Sequence, residues 1–230
     1  MTHSPLISVI TPVHSRNHRL PVIRKSLSSA IVPIQIIIVV NNQKLVKEIS
    51  PKTSNEEVVF CSRRGRGYAF LEGISNAKGD IALLLHSDTN LPSGWDAAIL
   101  SALEDTRVVG GGFSLSYDTS KPTLEIITWL SNLWVWLSGE LYGDRAMFVR
   151  SDILKRCLSV LQVPIFEDLR LTRCMHKHGR VVLLGQEIIT SAEKYRKYGL
   201  IGYILRIWSA RILYMLGIDP HHVYASYYSE

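Results

Sequence analysis

Cysteine is scarce in this chain: Cys61, Cys157 and Cys174 are the three present, they lie far apart, and no CxxC pair occurs. That usage suggests neither a disulfide framework nor a zinc cluster and fits a reducing cytosol. The opening residues, MTHSPLISVITPV, lack the basic start, long apolar stretch and small-residue cleavage site of a signal peptide, so a cytoplasmic location is expected. Long apolar runs are missing as well. "LEIITWLSNLWVWLSG" (124–139) and "YILRIWSARILYMLG" (203–217) fall short of the roughly 20 residues that a membrane span needs, and the second carries Arg206 and Arg211. Neither GxSxG nor HExxH is present and no Cys stands in an activating context, which removes the common hydrolase and protease readings. No internal repeat or low-complexity linker divides the 230 residues, so one domain is expected.

Basic residues, in contrast, are in excess. Lys and Arg number 26 against 20 Asp and Glu, a formal charge of +6 that favours an anionic partner such as a phosphate, a nucleic acid or an acidic membrane surface. The basic residues are dispersed and form no recognisable nucleic-acid module, so no nucleic acid is expected.

Four short runs, "LISVIT" (6–11), "IQIIIVV" (34–40), "EVVFC" (57–61) and "DIALLL" (80–85), are continuously apolar or β-branched, as strands covered on both faces should be. Between them stand helical segments over Leu20–Ala30, Lys44–Ile49 and Gly67–Ala77, and this alternation predicts an α/β sheet with neighbouring parallel strands. Pro92 and Ser93 can start a helix carrying Trp95, Ile99, Leu100 and Leu103, and "RVVGGGF" (107–113) is a further strand. Beyond residue 120 longer helices are predicted at 122–138, about 151–160, about 166–178 and about 200–216, with short strands at "AMFV" and "RVVLL".

Ligands of open parallel sheets sit at the carboxyl ends of the strands, and Asp88, in "LLLHSDTNLPSGW" (83–95), falls at that edge. A carboxylate there can hold a hard divalent cation shared with phosphate oxygens; shaping the turn before Pro92 is the structural alternative. "CSRRGRGYAFLEG" (61–73) places Arg63, Arg64 and Arg66 with Gly65 and Gly67 at the next strand end, just before a helix, a composition suited to a pyrophosphate. It is neither a P-loop nor a dinucleotide fingerprint, and alone it also suits a solvated basic turn. "VPIFEDLRLTRCMHKHG" (163–179) sets Glu167 and Asp168 at a helix start. The helix field accounts for one of them, and the other can act as general base; Asp168 is our choice, although the spacing does not separate the two. His176, His178, His221 and His222 are read as ordinary.

In order and spacing these stations resemble a family 2 glycosyltransferase of GT-A fold. "ISVITPV" is similar to the family's opening strand, and "GRGYAFLEGISNAKGDIALLLHSDTNLPSGW" to its run into an Asp-x-Asp-type metal motif. "YGDRAMFVRSDIL" (142–154) and "FEDLRLTRCMHKHG" resemble the segments that bring the acceptor region and the catalytic base. His86-Ser87-Asp88-Thr89 resembles the His-Ala-Asp-Thr of a small bacterial branch labelled as associated with arsenosugar biosynthesis. The likeness runs from about residue 7 to 220.

The resemblance implies a Rossmann-like, mostly parallel sheet with flanking helices and a helical C-terminal part. Residues 1–115 would bind the nucleotide sugar, and residues 116–230 would supply acceptor and base. It implies an inverting transfer from a nucleoside diphosphate sugar to an acceptor hydroxyl, with Mn2+ or Mg2+ on Asp88 and Asp168, or its neighbour Glu167, as the base. Donor contacts would come from Thr11, Pro12, Val13, Asn41, Arg63, Arg64, Gly65, Arg66, Gly67, His86 and Ser87. Lys194 and Arg196 of "TSAEKYRKYG" (190–199) would close over the diphosphate, and Gly143 and Asp144 would meet the acceptor. Two departures stand out. The family's second strand usually continues into an acidic Asp-Gly-Gly-Ser or Asp-Asp-Gly-Ser, where this chain has Asn41-Asn42-Gln43-Lys44, and its usual Asn-Glu after the first strand is replaced by His14-Ser15-Arg16-Asn17. A degenerate GT-A protein kept as a binding module is therefore the main alternative. A nucleotidyltransferase ranks lower, because "TPVHSRNHRL" (11–20) has no glycine.

Trp129, Leu133 and Trp136 form one helical stripe, and Leu205, Trp208, Ile212 and Met215 another. Core packing is the simpler reading of both. The alternative is peripheral contact with the inner face of a membrane, where a lipid-linked acceptor would also sit.

Overall fold

The computed structural model describes residues 4–15 and 19–228. Its first strand, β1 (Ile7–Val13), shows why the apolar runs are unbroken. Successive side chains point to opposite faces: Ile7 and Val9 enter one buried cluster and Ile10 the other. The same alternation holds in β2 (Ile34–Val40), where Ile36, Ile38 and Val40 face one cluster and Ile37 and Val39 the second. Each such side chain contributes roughly 1.5–3 kcal/mol by leaving water, so helices must cover both faces.

They do so in alternation. After β1 comes α1 (Leu20–Leu27), then β2, α2 (Gln43–Glu48), β3 (Glu56–Phe60), α3 (Arg66–Asn76), β4 (Ile81–Leu84), the two-residue β5 (Thr89–Asn90) and α4 (Trp95–Glu104). The second half runs β6 (Val108–Tyr117), α5 (Pro122–Ser138), a 3-10 turn at Gly143–Arg145, β7 (Met147–Arg150), α6 (Ser151–Arg156) and a 3-10 turn at Leu158–Leu161. It closes with α7 (Glu167–His176), β8 (Arg180–Thr190), α8 (Glu193–Tyr198), α9 (Leu200–Met215) and α10 (Pro220–Tyr228). Helices α1 and α4 cover one face, and α3, α6 and α7 the other.

All eight strands join one sheet in the order β3-β2-β1-β4-β7-β6-β8-β5. The four strands of the first half are parallel, as expected; β7 and β5 run against their neighbours, and β6 pairs parallel with β8. The second half thus extends the same sheet rather than forming a separate one.

Several boundaries shift, each for a local reason. The glycine-rich strand continues to Tyr117 and its partner to Thr190, because the two pair along their whole length despite a bulge between Phe113 and Ser114. Helix α4 begins at Trp95 rather than at Pro92, after Gly94 in a left-handed conformation (φ 69°), and Asp96 in its first turn accepts the Ile31 and Val32 amides. The helix expected over 151–160 breaks at Cys157.

Two expectations are overturned. The Cys157 and Cys174 sulfurs are bonded, because α7 packs its Cys174 against the turn that follows α6; Cys61 is free and buried. The two helical stripes are also not core: Trp129 is 63% exposed, Trp136 70% and Leu205 63%. No helix among the described residues is long and apolar enough to cross a membrane.

The disulfide closes a 17-residue separation that contains Glu167 and Asp168. A loop of this length is worth about 3 kcal/mol, so reduction or a Cys157→Ala, Cys174→Ala double variant should lower Tm by roughly 5–10 °C. Thiol titration of the unfolded, unreduced chain should find one reactive thiol; three would show that the bond does not form.

Candidate active site

The carboxyl ends of β1, β2, β3 and β4 carry Thr11 to Val13, Asn41, Arg63 with Arg64, and His86 to Asp88 respectively, as the parallel-sheet argument requires. The turn after β4 is tightly held. Leu85 N donates to Ile10 O (2.9 Å), Arg19 N to Ser87 O (3.0 Å), and Thr89 N to His86 O (3.2 Å). Asp88 is half-buried, with the Thr89 hydroxyl 3.5 Å from its Oδ1. His86 stacks on Phe70 of α3 with ring centroids 5.9 Å apart, and its Nε2 is buried without a hydrogen-bond partner. Burial holds its pKa well below the ordinary histidine value, and the charges of Arg66 and Lys194 add to the shift, so the ring is neutral.

The second half meets this turn through one residue without a side chain. Gly143 opens the 3-10 turn before β7, and a Cβ there would lie 2.9 Å from His86 Nε2 and 3.3 Å from Asp168 Oδ2. Its backbone therefore fills the gap between the β4 turn and the α7 start, and its N–H donates to Asp168 Oδ2 at 2.7 Å. The other oxygen of Asp168 accepts from Leu169 N (2.8 Å). Next to it, Asp144 has a buried Oδ1 with no partner. Burial pushes its carboxyl up; Arg145 opposes this, and the Asp168 and Asp88 charges reinforce it.

Arg145 is wholly buried, which holds its pKa below the ordinary arginine value. It donates to Asn132 Oδ1 (2.7 Å), Ser131 Oγ (2.8 Å) and Phe113 O (3.4 Å). Asn132 in turn bonds both backbone groups of Leu115. The Asp144 turn is thereby fastened to α5 and β6.

Glu167 and Asp168, which the sequence could not separate, point to different partners. Phe166 takes a left-handed conformation (φ 65°) just before α7 and packs its ring on Tyr214, 4.4 Å between centroids. Glu167 then meets Arg66 Nε at 2.9 Å. Burial raises the Glu167 carboxyl against the pull of Arg66; burial pulls the Arg66 guanidinium down, but the charges of Glu167 and Asp168 and the tyrosines of α10 outweigh it and leave Arg66 above its ordinary range. The close approach needs the glycines beside Arg66: a Cβ on Gly65 would lie 2.4 Å from Pro164 Cα, and one on Gly67 2.2 Å from Val163 O.

The three arginines consequently do not converge. Arg66 is turned inward to Glu167, Arg63 lies 4.3 Å over the Tyr68 ring, and Arg64 is exposed. Lys194 stands close enough to His86 and Asp144 to shift both, whereas Arg196 turns to Asp118 (3.5 Å). Thr11 Oγ1 is buried without a partner, and Asn41 hydrogen-bonds His14. Arg16 and Asn17 lie outside the described residues.

Some residues of the site were not singled out by the sequence. His221, read as ordinary, reaches from α10 to Tyr68 OH (2.7 Å). Tyr117, Tyr195 and Tyr203 stack edge-on at 5.2 and 4.8 Å and lie near enough to Asp144 to feel its charge. The Ser114-Leu115-Ser116-Tyr117 alternation was the available signal for Tyr117; nothing local pointed to His221.

Among the described residues, the one group of three that could hold a metal ion is Cys157, Cys174 and His178, whose two sulfurs are bonded to each other. Asp88, Asp144 and Asp168 do not converge into an all-protein cage. A cation at Asp88 would need oxygens from a ligand, which is how Mg2+ and Mn2+ are usually held.

The family model described as glycosyl transferase family 2 matches residues 8–169. Among solved structures, S. aureus TarS 1–349 superposes with a TM-score of 0.61 at 13% identity, over 90% of this chain and 65% of that one. Its complex with UDP-GlcNAc gives 0.60 at 14%, over 80% and 58%. The chain spans about 65% of the length of that TarS structure, and at such identity the likeness is one of fold. The sheet and flanking helices are those of the GT-A fold. No curated protein matches the sequence.

Breaking a buried ion pair by removing one partner typically costs about 3–5 kcal/mol. Arg66→Met and Glu167→Leu should each destabilise the chain by that order in urea unfolding, and the double variant by clearly less than their sum. Additive losses would show that the two side chains are not coupled.

Proposed function

Because the chain belongs to glycosyl transferase family 2, we propose that it transfers a sugar from a nucleoside diphosphate sugar to an acceptor hydroxyl with inversion, Asp168 acting as general base. The observation that carries this reading is the Gly143 backbone, one residue wide, set between His86 of the β4 turn and the Asp168 carboxylate. Donor-side and base-side groups are then close enough to act on one glycosidic centre. Asp168 is the better base because Glu167 is engaged by Arg66, whereas two backbone amides orient Asp168 and leave its oxygens lone pairs to spare. It takes the acceptor's proton as the acceptor oxygen attacks the anomeric carbon, and the bond to the diphosphate breaks with its electron pair leaving on phosphate.

Asp88, half-exposed and bonded only weakly by Thr89, fits a hard divalent cation; Mn2+ or Mg2+ bound there would supply charge neutralisation on the diphosphate. Lys194, near His86 and Asp144, is placed to add a second positive charge, and Arg63 and Arg64 remain on the donor side. Residues 1–115 act as the donor half and 116–230 as the acceptor half, with Gly143 and Asp144 at the junction. The TarS complex with UDP-GlcNAc makes UDP sugars the first donors to test, and His86-Ser87-Asp88-Thr89 supports the arsenosugar-associated branch. Asn41 in place of the family's acid, bonded to His14, favours one second reading: a nucleotide-binding protein without transfer activity.

A thermal-shift panel of nucleoside diphosphates with and without Mn2+, followed by transfer assays, separates the two. We expect a metal-dependent shift with one diphosphate that is lost in Asp88→Asn. Asp168→Asn should keep that shift and lose about 10²–10⁴-fold in kcat. Full transfer by both variants would refute the mechanism, and a shift without transfer to any acceptor would favour the binding protein.

A further inference from the structure

Among the described residues, most of the large apolar side chains left exposed lie on helices α5 and α9. On α5, Ile126, Trp129, Leu130, Leu133, Trp134 and Leu137 recur at helical spacing, and all are at least 36% exposed. On α9, Ile201, Leu205, Trp208, Ile212 and Met215 do the same, at 50–73% exposure. The stripes adjoin: the Arg211 guanidinium lies over both Trp134 (6.0 Å) and Trp208 (5.6 Å). Soluble monomers rarely expose a contiguous patch of this kind without using it.

Charge indicates what covers it. No acid occurs between Ile126 and Gly139 or anywhere in α9, while residues 170–217 hold nine Lys and Arg against Glu187 and Glu193, with Arg180 paired to Asp105 and Arg196 to Asp118 outside that stretch. The acid at the junction of the stripes, Glu140, is neutralised by Arg173 and Arg211, both at 2.8 Å. Arg170, Arg173 and Lys177 follow one side of α7 beside that junction. Tryptophans with a basic border suit the interface of an anionic bilayer. A second copy of the chain would bring its own positive border against the first. Neither helix can cross the bilayer, so contact is lateral.

We infer that α5 and α9 together form a docking surface for anionic phospholipid bilayers. The surface begins at Tyr142, whose hydroxyl accepts from Arg211 and from Trp134 Nε1 (3.1 Å), one residue before Gly143. Docking would bring the lipid headgroups to Tyr142, one residue from the buried Gly143. The inference stands on exposure and charge and is independent of the chemistry proposed for the site.

The test is flotation of the full chain with vesicles of equal parts phosphatidylcholine and phosphatidylglycerol, beside vesicles of phosphatidylcholine alone, with sedimentation velocity run in parallel. We expect the chain to float with the mixed vesicles, with a blue shift of tryptophan emission, and to bind far less without the anionic lipid. A Trp129→Ser, Trp136→Ser, Leu205→Ser variant should bind at least about ten-fold less with an unchanged far-UV spectrum and Tm. Arg173→Glu with Lys177→Glu should weaken binding to mixed vesicles only. Failure of the intact chain to float, or undiminished binding by the triple variant, would overturn the proposal. So would a dimer abolished by the triple substitution in a chain that does not bind vesicles, since a second copy would then be the occupant.

Discussion

The Arg66–Glu167 ion pair is the contact on which the arrangement of the site depends. Two charges taken out of water are tolerated only when they meet closely, and here the meeting joins the first turn of α3 to the first turn of α7. Gly65 and Gly67 let the backbones approach, and Arg66 N donates to Pro164 O at 3.0 Å, so the clamp is both polar and steric. Because Glu167 is held in this way, the next residue along α7 is rotated toward Gly143. The left-handed Phe166 permits that rotation, and its stacking on Tyr214 offsets the cost of the conformation.

Much of the first half was legible in the sequence because buried parallel strands have little choice of residue. The run 34–40 and the helix 122–138 were found at their full extent, and Asp88 was placed at the correct sheet edge by counting from the end of its strand. What failed has a common physical origin. Helical periodicity shows that a helix has an apolar face but not what the face meets, so the stripes on α5 and α9 were assigned to a core they do not enter. The Cys157–Cys174 bond was invisible because the two cysteines stand 17 positions apart and only the packing of α7 brings their sulfurs together. His221 meets Tyr68 across 153 positions, and no local pattern encodes such a contact.

The candidate site holds several of the polar groups that the fold leaves unsatisfied. His86 Nε2, Asp144 Oδ1 and Thr11 Oγ1 lie buried without partners among the described residues. A buried polar atom left alone costs about 1–3 kcal/mol, and an accumulation of them beside neighbouring carboxylates is the pattern expected of a functional site.

Helix α5 turns most of its apolar side chains outward, and beside the buried Leu124 and Val135 its inward face sends Ser131 and Asn132 to Arg145 and Leu115. Apolar contacts are non-directional and let a helix slide or roll at small cost, whereas hydrogen bonds lose strength steeply once misaligned. A helix pinned by such bonds behaves as a lever rather than a cushion. Any sideways load on its outer face would pass through the Arg145 guanidinium into the turn that holds Asp144.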